Sequence, residues 1–401
     1  MSILERFCFI TEYYDNYSTM VRRFQLFYYP KDNTIEIYDM KNKKIFLKRC
    51  VVPGVEFKNL YIGNDINIYS RLHKLVEYGD DYTKNYFEEM RSNTFALIKP
   101  EGYLNIGKII DMIYQCEFGI SRLKLCKMSQ EDAALFCSNI QDKSAFQSEV
   151  NYISSDFVVG IDLVKKNAMN EWTTLITNPQ ESPFPEIFGN TNLKKYIHGS
   201  INSSDVKRES ALIFNKIVHQ PNLTKYIHGS INSSDVKRES ALIFNKIVHQ
   251  PNLTSCSCLL IKPHIIQEGL AGKIIDIILT EGFEISSMEM IYMDKIQASE
   301  FFEVYKGVLP EYSAMVDAIV CGPVIALEVR QNDCVNKLRA LVGPHDPDIA
   351  KALRPDTIRA KFGQNTVYNA VHCTDLEEDA TIEIDYIFNK ICRIKNNSYF
   401  K

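Results

Sequence analysis

One histidine near the C-terminal end stands in a setting that suits nucleophilic chemistry. His372 follows a short apolar run, and Glu383 lies eleven residues beyond it, about three helical turns along. A carboxylate there can hold one imidazole nitrogen and leave the other free to attack an electrophile. Arg359 and Asn369, thirteen and three residues upstream, supply donors for a phosphate or a sugar. The alternative is a core histidine whose ring nitrogens are hydrogen-bonded for structural reasons alone, and it does not account for this grouping.

A helix is predicted to begin just after this histidine. Thr374 and Glu377 have the spacing of a capping box, in which two side chains satisfy backbone N–H groups at a helix start. The helix that follows would carry Glu383 toward the imidazole. The spacing therefore predicts both the helix start and the residue that orients the histidine.

The stretch NAVHCTD, residues 369–375, resembles the Asn-x-x-His-Gly-Ser-Asp motif of nucleoside diphosphate kinases. Cys373 and Thr374 replace the glycine and the serine of that motif. Enzymes of this family pass a γ-phosphate from one nucleotide to another through a phosphohistidine. The resemblance covers nearly the whole chain, and it is greatest to ciliary members of the family, which have an N-terminal DM-ten domain and two kinase domains.

The resemblance implies roles for the residues of this site. His372, Glu383 and Tyr305 would be catalytic, with Tyr305 supporting the histidine and the phosphoryl group. The nucleotide-binding residues would be Lys262 and Asn369, on the phosphates and sugar, Arg339 and Arg359, on the β- and γ-phosphates, and His345, where the family usually has a phosphate-contacting threonine. Such cations are the expected parts of a phosphoryl-transfer site. Mg²⁺ is expected to arrive with the phosphates of ATP, without protein ligands.

The chain contains two diverged copies of one domain. NTFALIKP at residues 93–100 corresponds to SCLLIKP at 257–263, and GKIIDMI at 107–113 corresponds to GKIIDII at 272–278. The alternation of buried strands and amphipathic helices predicts an α/β fold, an α+β sandwich with helices on one face of each sheet. The resemblance implies that each copy is a ferredoxin-like βαββαβ domain.

The first copy keeps only part of the implied chemistry. Lys99, His198 and Glu209 survive at the right spacing. Thr173, Pro185 and Lys195 stand at the positions of Arg339, Arg359 and Asn369. No tyrosine matches Tyr305, and the segment that would cover the phosphates is shorter. A histidine without cations has lost the electrostatic term that usually dominates catalysis, so we interpret this copy as a degenerate, structural domain.

The N-terminal segment is predicted to be mostly β. Aromatic and β-branched runs predict a hairpin at residues 24–30 and 34–38, a third strand at 45–47, and a strand pair within 59–68 around Gly63. The segment resembles the DM-ten domain of ciliary proteins, for example in YIGN at 61–64. Such domains resemble pleckstrin-homology folds and dock on axonemal microtubules, so the resemblance implies a docking role.

Residues 195–224 recur without one change as residues 225–254. The second copy brings another histidine, His228, and another glutamate, Glu239. Only one such unit fits a kinase domain, and the first copy has the correct nine-residue lead from Gly189 to its histidine. We therefore expect residues 225–254 to be a loosely packed insert between the domains, or to be absent from the natural protein.

Composition excludes some functions. With 46 basic and 50 acidic residues the net charge is −4, which gives no overall attraction to nucleic acid or to a membrane surface. The N-terminal sequence is not typical of a signal peptide, and no apolar stretch reaches membrane-spanning length. The eleven cysteines form no disulfide framework and no zinc pattern, which favours reduced thiols in the cytosol.

Together, the repeats and the resemblance imply four segments: a docking domain at 1–88, a degenerate kinase-like domain at 91–224, the duplicate at 225–254, and an intact kinase domain at 255–395. The function that the resemblance implies is that of an axonemal nucleoside diphosphate kinase, acting on ATP and nucleoside diphosphates by ping-pong chemistry through His372. Tubulin of the doublet microtubule and neighbouring inner proteins are the implied partners, and cytoplasm, cytoskeleton and cilium the implied location. The alternative is a structural microtubule inner protein with vestigial activity; a protein kinase role has no discriminating residue.

Overall fold

The computed structural model describes residues 6–15, 20–69, 71–90, 92–178, 182–189, 193–200, 202–216 and 255–392. The identical second copy at 225–254, with His228 and Glu239, lies outside the described residues. Among the described helices, none combines the length and the apolar character needed to cross a membrane.

The N-terminal domain is one antiparallel sheet followed by a helix. Its elements are β1 Phe7–Asp15, β2 Met20–Tyr29, β3 Thr34–Asp39, β4 Lys44–Val51, β5 Asp65–Ile68, β6 Arg71–Tyr78 and α1 Asp81–Met90. The strand order is β4-β3-β2-β1-β6-β5, so β4 and β5 form the two edges. Phe24, Leu26 and Tyr28 of β2 are buried in alternation, because successive side chains of a strand point to opposite faces. The predicted mostly-β domain is confirmed.

The predicted hairpin and third strand correspond to β2, β3 and β4, but the predicted strand pair around Gly63 is wrong. Only β5 forms there. The Gly63 N–H donates to the Leu75 carbonyl at 2.7 Å, and the Asn64 N–H donates to the Tyr61 carbonyl at 3.2 Å. These bonds fold residues 61–64 into a turn that is attached to β6. No second strand therefore forms among the described residues just before β5.

Two α/β repeats follow. The first contains β7 Ser92–Ile98, α2 Ile106–Gln115, β8 Gly119–Lys127, α3 Gln130–Phe136, α4 Lys143–Ile153, β9 Phe157–Lys165, α5 Ala168–Thr177, α6 Pro185–Phe188, β10 Ile197–Gly199 and α7 Ser203–Ala211. The second contains β11 Cys256–Ile261, α8 Pro263–Gln267, α9 Ala271–Thr280, β12 Glu284–Ile291, α10 Lys295–Phe301, α11 Tyr312–Ile319, β13 Val324–Arg330, α12 Cys334–Val342, α13 Pro347–Leu353, α14 Ile358–Phe362, β14 Val371–Cys373 and α15 Glu377–Ile384.

The two repeats form one continuous sheet of eight strands. Its order is β10-β7-β9-β8-β12-β13-β11-β14, so the second half mirrors the first. Within each half the strands follow the order fourth, first, third, second, which is the ferredoxin-like arrangement that was predicted. The halves join where Lys124 and Leu125 of β8 pair with Glu289 and Met288 of β12. The α/β fold class is confirmed, and the two repeats pair within one chain.

Helices cover both faces of the sheet, so the expectation of helices on one face is wrong. Ala96 and Ile98 of β7 pack in the cluster that contains residues of α2, α5, α9 and α12. Phe95 and Leu97 of the same strand point the other way, into a cluster with residues of α3 and α4. The unbroken apolar run of β7 is typical of a strand that is buried on both sides.

The repeats also meet through their first crossover helices, which touch backbone to backbone at two glycines. A Cβ built on Gly107 of α2 would lie 2.3 Å from the Asp276 backbone nitrogen. A Cβ built on Gly272 of α9 would lie 2.4 Å from the Asp111 backbone nitrogen. Since these neighbours are backbone atoms, no side-chain rotation can make room. Glycine at both positions is what permits this close crossing.

We expect Gly107→Ala to destabilise the protein although alanine is the better helix former. The added methyl must push α2 and α9 apart, at a cost of about 1–3 kcal/mol. Denaturant unfolding followed by circular dichroism should show an earlier transition. The control is Gly119→Ala, where the Cβ would lie 3.6 Å from the Val164 carbonyl oxygen, an ordinary contact. Equal transitions for the two variants would contradict the close crossing.

Candidate functional site

His372 is held between strand β11, helix α15 and two aromatic rings. It is the central residue of β14 and is buried at 5% exposure. Its Nε2 lies 3.2 Å from both carboxylate oxygens of Glu383 on α15. The rings of Phe301 and Phe302 meet the imidazole edge to face, at centroid distances of 5.1 and 5.5 Å. Since Nε2 faces the carboxylate, Nδ1 is the nitrogen left for attack.

Thr374 positions the carboxylate and does not cap the helix. Its hydroxyl donates to Oε2 of Glu383 at 2.7 Å and accepts the Cys258 N–H at 3.0 Å. The helix does begin at Glu377, but Leu376 is the residue at its N-cap, and no side chain caps it. The predicted capping box is therefore wrong, because the threonine hydroxyl bonds Glu383, two turns into α15, and not a backbone N–H at the helix start.

Lys262, Asn369 and His345 form one hydrogen-bonded group. The Lys262 ammonium donates to the Asn369 side-chain oxygen at 2.6 Å and to the Val367 carbonyl at 2.8 Å. The Asn369 amide nitrogen donates to the His345 carbonyl at 3.0 Å and lies 3.3 Å from Nδ1 of that ring. Burial lowers the pKa of Lys262 to about 7, and the charge of Arg359 adds to the shift. The group is pre-arranged for an anion, whose negative charge would raise the pKa of Lys262 and keep its amine protonated.

The two arginines are set differently. Arg359 is buried, donates to the Gly343 carbonyl at 2.9 Å and the Val371 carbonyl at 3.2 Å, and its Nε is buried without a hydrogen-bond partner among the described residues. Arg339 is half exposed, with its Nε 3.6 Å from a carboxylate oxygen of Asp375. One arginine is therefore fixed, and the other can adjust to a ligand.

Asp375 is a functional residue that the sequence reasoning missed. Its other carboxylate oxygen accepts the Tyr305 hydroxyl at 2.6 Å, so it connects Tyr305 with Arg339. Burial raises the pKa of Tyr305, and the bond to Asp375 raises it further, which keeps the phenol protonated. The signal was present, because Asp375 is the last residue of NAVHCTD, but a spacing alone assigns no partner to it.

These side chains line one cavity of about 760 Å³. The cavity lining includes every predicted site residue of the second repeat except Glu383, which lies behind the histidine. Those lining residues are Lys262, Tyr305, Arg339, His345, Arg359, Asn369 and His372. The structure thus brings together the predicted cations and the predicted nucleophile. The described residues contain no group of three or more His, Cys, Asp or Glu side chains that could hold a metal ion.

The first repeat keeps the histidine and its carboxylate. Nε2 of His198 lies 2.9 Å from Oε2 of Glu209, and the Ser200 hydroxyl donates to the same oxygen at 2.6 Å. This repeats the contacts of His372, Glu383 and Thr374 in the second repeat.

The cations of the first repeat are lost or occupied. The Lys99 ammonium donates to the Glu149 carboxylate of α4 at 2.6 Å. The Thr173 hydroxyl donates to its own helix, at Met169, and Pro185 begins α6. Lys195 is exposed. The hydrogen-bonded group of His198, Glu209 and Ser200, called the relay below, therefore lacks counterparts of Arg339 and Arg359.

The chain matches known protein families along most of its length. The model "Nucleoside diphosphate kinase" matches residues 92–218 and 255–391, and "Nucleoside diphosphate kinase 7 N-terminal PH domain" matches residues 1–89. Nucleoside diphosphate kinase homolog 7 of Rattus norvegicus is 36% identical over 393 residues, covering 96% of this chain and 93% of that protein. The Mus musculus homolog 7 is 34% identical with the same coverage. The nucleoside diphosphate kinase of Aquifex aeolicus is 34% identical over 131 residues, covering 33% of this chain and 92% of its own.

We expect binding of a phosphate-bearing ligand to take up a proton through Lys262. With a pKa of about 7, this amine is mostly neutral at pH 8, and nearby phosphate charge raises its pKa. Calorimetric titration of the protein with Mg–ADP at pH 8, in two buffers of different ionisation enthalpy, should show uptake approaching one proton.

The control is Lys99→Met, which should leave that uptake unchanged because the lysine belongs to the first repeat. Lys262→Met should abolish the uptake in whatever binding remains. Equal heats in the two buffers for the unaltered protein would show that Lys262 is already charged, contrary to this account.

Proposed function

The chain belongs to the nucleoside diphosphate kinase family, and on that premise we propose that its second repeat transfers the γ-phosphate of ATP to nucleoside diphosphates through His372. The observation that carries the proposal is the pairing of Nε2 with Glu383 at 3.2 Å, which leaves Nδ1 for attack, in a side chain that lines a cavity together with cations. The imidazole is thereby held in one orientation, and the charge that develops on the phosphates is neutralised.

The reaction consists of two displacements at phosphorus. Nδ1 of His372 attacks the γ-phosphorus, the bond to the β,γ-bridging oxygen breaks, and the nucleoside diphosphate leaves with that electron pair. A terminal oxygen of a second diphosphate then attacks the phosphohistidine, and the N–P bond breaks. Glu383 stabilises the positive charge that the imidazole gains in the first step. Mg²⁺ enters as part of the nucleotide substrate.

The surrounding residues have distinct roles in this proposal. Arg359 and Arg339 bind the β- and γ-phosphates, and Lys262, once protonated, binds the transferred group. Tyr305 stays protonated and can donate to a phosphoryl oxygen. The Asn369 amide, which already bonds Lys262 and the His345 backbone, orients the sugar and the phosphates. His345 stands where the family usually has a phosphate-contacting threonine. Burial lowers the pKa of its imidazole, and the charge of Arg359 lowers it further.

We assign no transfer to the first repeat. Its relay of His198, Glu209 and Ser200 supports a reactive imidazole. However, Lys99 is paired with Glu149, and threonine and proline stand at the two arginine positions. Removal of single preorganised donors lowers turnover by about 10²–10³. The loss of two arginines therefore leaves negligible transfer.

With ATP and Mg²⁺, the protein should form an acid-labile, base-stable phosphoadduct, and His372→Ala should abolish both the adduct and nucleotide exchange. The matched control is His198→Ala in the first repeat, which should keep both. Phosphopeptide mapping and a coupled exchange assay measure the two properties. Exchange that survives in His372→Ala, or is lost in His198→Ala, would reverse the assignment of the repeats.

A second function, docking in the ciliary axoneme, is favoured by one edge of the N-terminal sheet. Among the described strands, β4 pairs with β3 alone, so its outer edge carries no further strand there, and most of its side chains are exposed. The same strand carries the exposed apolar side chains of Ile45, Phe46 and Val51 and the exposed basic side chains of Lys44 and Lys48. Such an edge suits an extended segment of an acidic partner. We propose that the DM-ten-like domain uses it to bind tubulin or inner proteins of doublet microtubules, in the cytoskeleton of the cilium.

The docking proposal predicts that the double variant Lys44→Glu and Lys48→Glu binds doublet microtubules about tenfold more weakly in co-sedimentation. Kinase activity should not change, because the second repeat contacts the opposite edge of this sheet, at Asn67 of β5. Lys84→Glu, on the exposed side of α1, is the control for a change in charge alone. Unchanged co-sedimentation of the β4 variant would refute this docking edge.

A further inference from the structure

The N-terminal domain contacts the second repeat, which follows it in the chain only after the whole first repeat. The Asn67 amide nitrogen donates to the Val320 carbonyl at 2.8 Å. The Tyr292 hydroxyl donates to the side-chain oxygen of Asn64 at 2.7 Å. Gly54 lies against the second repeat as well, since a Cβ built there would be 2.1 Å from the Cys321 carbonyl oxygen. The β5 side of the N-terminal sheet is therefore committed to this interface.

One of the two polar contacts reaches a buried side chain of the N-terminal domain. Asn64 is only 3% exposed. The Tyr292 hydroxyl is buried, and burial raises the pKa of this phenol well above its usual range. Because Asn64 is buried, loss of the Tyr292 hydroxyl would cost its side-chain oxygen this hydrogen bond in a place that water reaches poorly. Gly54 has a positive φ of 81°, a conformation that side chains disfavour, so its backbone can approach Cys321 where another residue would not fit.

These contacts bracket one segment of the second repeat, the helical hairpin made by α10 and α11. Tyr292 lies three residues before Lys295, where α10 begins, and Val320 follows directly after α11. The N-terminal domain thus contacts the chain where it enters the hairpin and again where it leaves it.

The hairpin is also one wall of the nucleotide site. Phe301 and Phe302, at the end of α10, contact the His372 ring, at centroid distances of 5.1 and 5.5 Å. Tyr305 follows in the connection between the helices and bonds Asp375 at 2.6 Å. Any tilt of the hairpin moves all three side chains relative to the histidine.

We infer that the N-terminal domain is a positioning element of the second repeat's site, because it anchors both ends of the α10–α11 hairpin and so fixes the wall that carries Phe302 and Tyr305. The kinetic part of this inference rests on the proposed kinase activity. A hairpin released at its ends samples orientations in which the site is incomplete. Nucleotide can then bind only the fraction of molecules in which the site is complete. The apparent affinity for nucleotide falls by that fraction, while turnover of the bound state is unchanged.

The N-terminal domain thereby has a second role beside docking. A partner that binds the N-terminal domain and loosens its β5 side would weaken nucleotide binding, and one that tightens this side would strengthen it. Coupling of this kind needs contact at both ends of the hairpin, since a single anchor would leave it free to pivot. The two hydrogen bonds, from Asn67 and from Tyr292, meet that requirement.

The test uses the full chain with Tyr292→Phe and Asn67→Ala combined. The control is Tyr28→Phe, which removes the same kind of bond, a tyrosine hydroxyl to the Asn33 side-chain oxygen at 2.7 Å, inside the N-terminal domain. Hydrogen–deuterium exchange without nucleotide should show residues 295–319 exchanging roughly tenfold faster in the interface variant only. Strands β11 and β13 should keep their wild-type rates.

Exchange kinetics with nucleotides supply the second readout. The interface variant should raise KM for the nucleoside diphosphate several-fold with kcat nearly unchanged, whereas a variant that merely unfolds part of the sample lowers kcat at constant KM. Unchanged hydrogen exchange in the hairpin would overturn the inference. A wild-type chain without turnover would instead contradict the proposed function, and the hydrogen-exchange result would still decide the positioning role.

Discussion

The contact between Glu383 and Nε2 of His372 is the constraint on which the second repeat depends. It sets the orientation of the imidazole, whose side chain lines the cavity, and leaves Nδ1 free of the carboxylate. The local architecture serves this contact. Thr374 bonds one carboxylate oxygen and is itself held by the Cys258 backbone, so the end of β14, the helix α15 and the neighbouring strand β11 are tied to a single carboxylate.

Both repeats contain this contact, but only the second, among the described residues, surrounds it with the cations of the proposed site. His198, Glu209 and Ser200 reproduce it in the first repeat, with distances of 2.9 and 2.6 Å. The repeats differ in the charges that face the imidazole. In the second, Arg359 and Lys262 are buried beside the cavity; in the first, Lys99 is neutralised by Glu149. The first repeat thus keeps the His198, Glu209 and Ser200 contacts without those cations, and it supplies four strands of the continuous eight-stranded sheet.

Local patterns in the sequence were enough to predict the strands and the crossover helices, because alternation and helical periodicity depend on near neighbours. They failed where a distant partner decided the outcome. Thr374 has the spacing of a helix cap, yet Glu383 takes its hydroxyl, and the segment before β5 becomes a turn because Leu75 binds Gly63. The roles of Asp375 and Tyr292 depend on residues 70 and 228 positions away, and no local pattern contains that information.

The charges around the two histidines imply that only one of these two related sites can hold a nucleotide. The number of nucleotide sites on the full chain can be measured by equilibrium dialysis against labelled Mg–ADP. We predict one site per chain, lost in a variant with Arg359→Ala and Lys262→Ala and kept in a variant with Lys99→Ala. Two sites of similar affinity would show that the first repeat binds nucleotide without the arginines, and would contradict the claim.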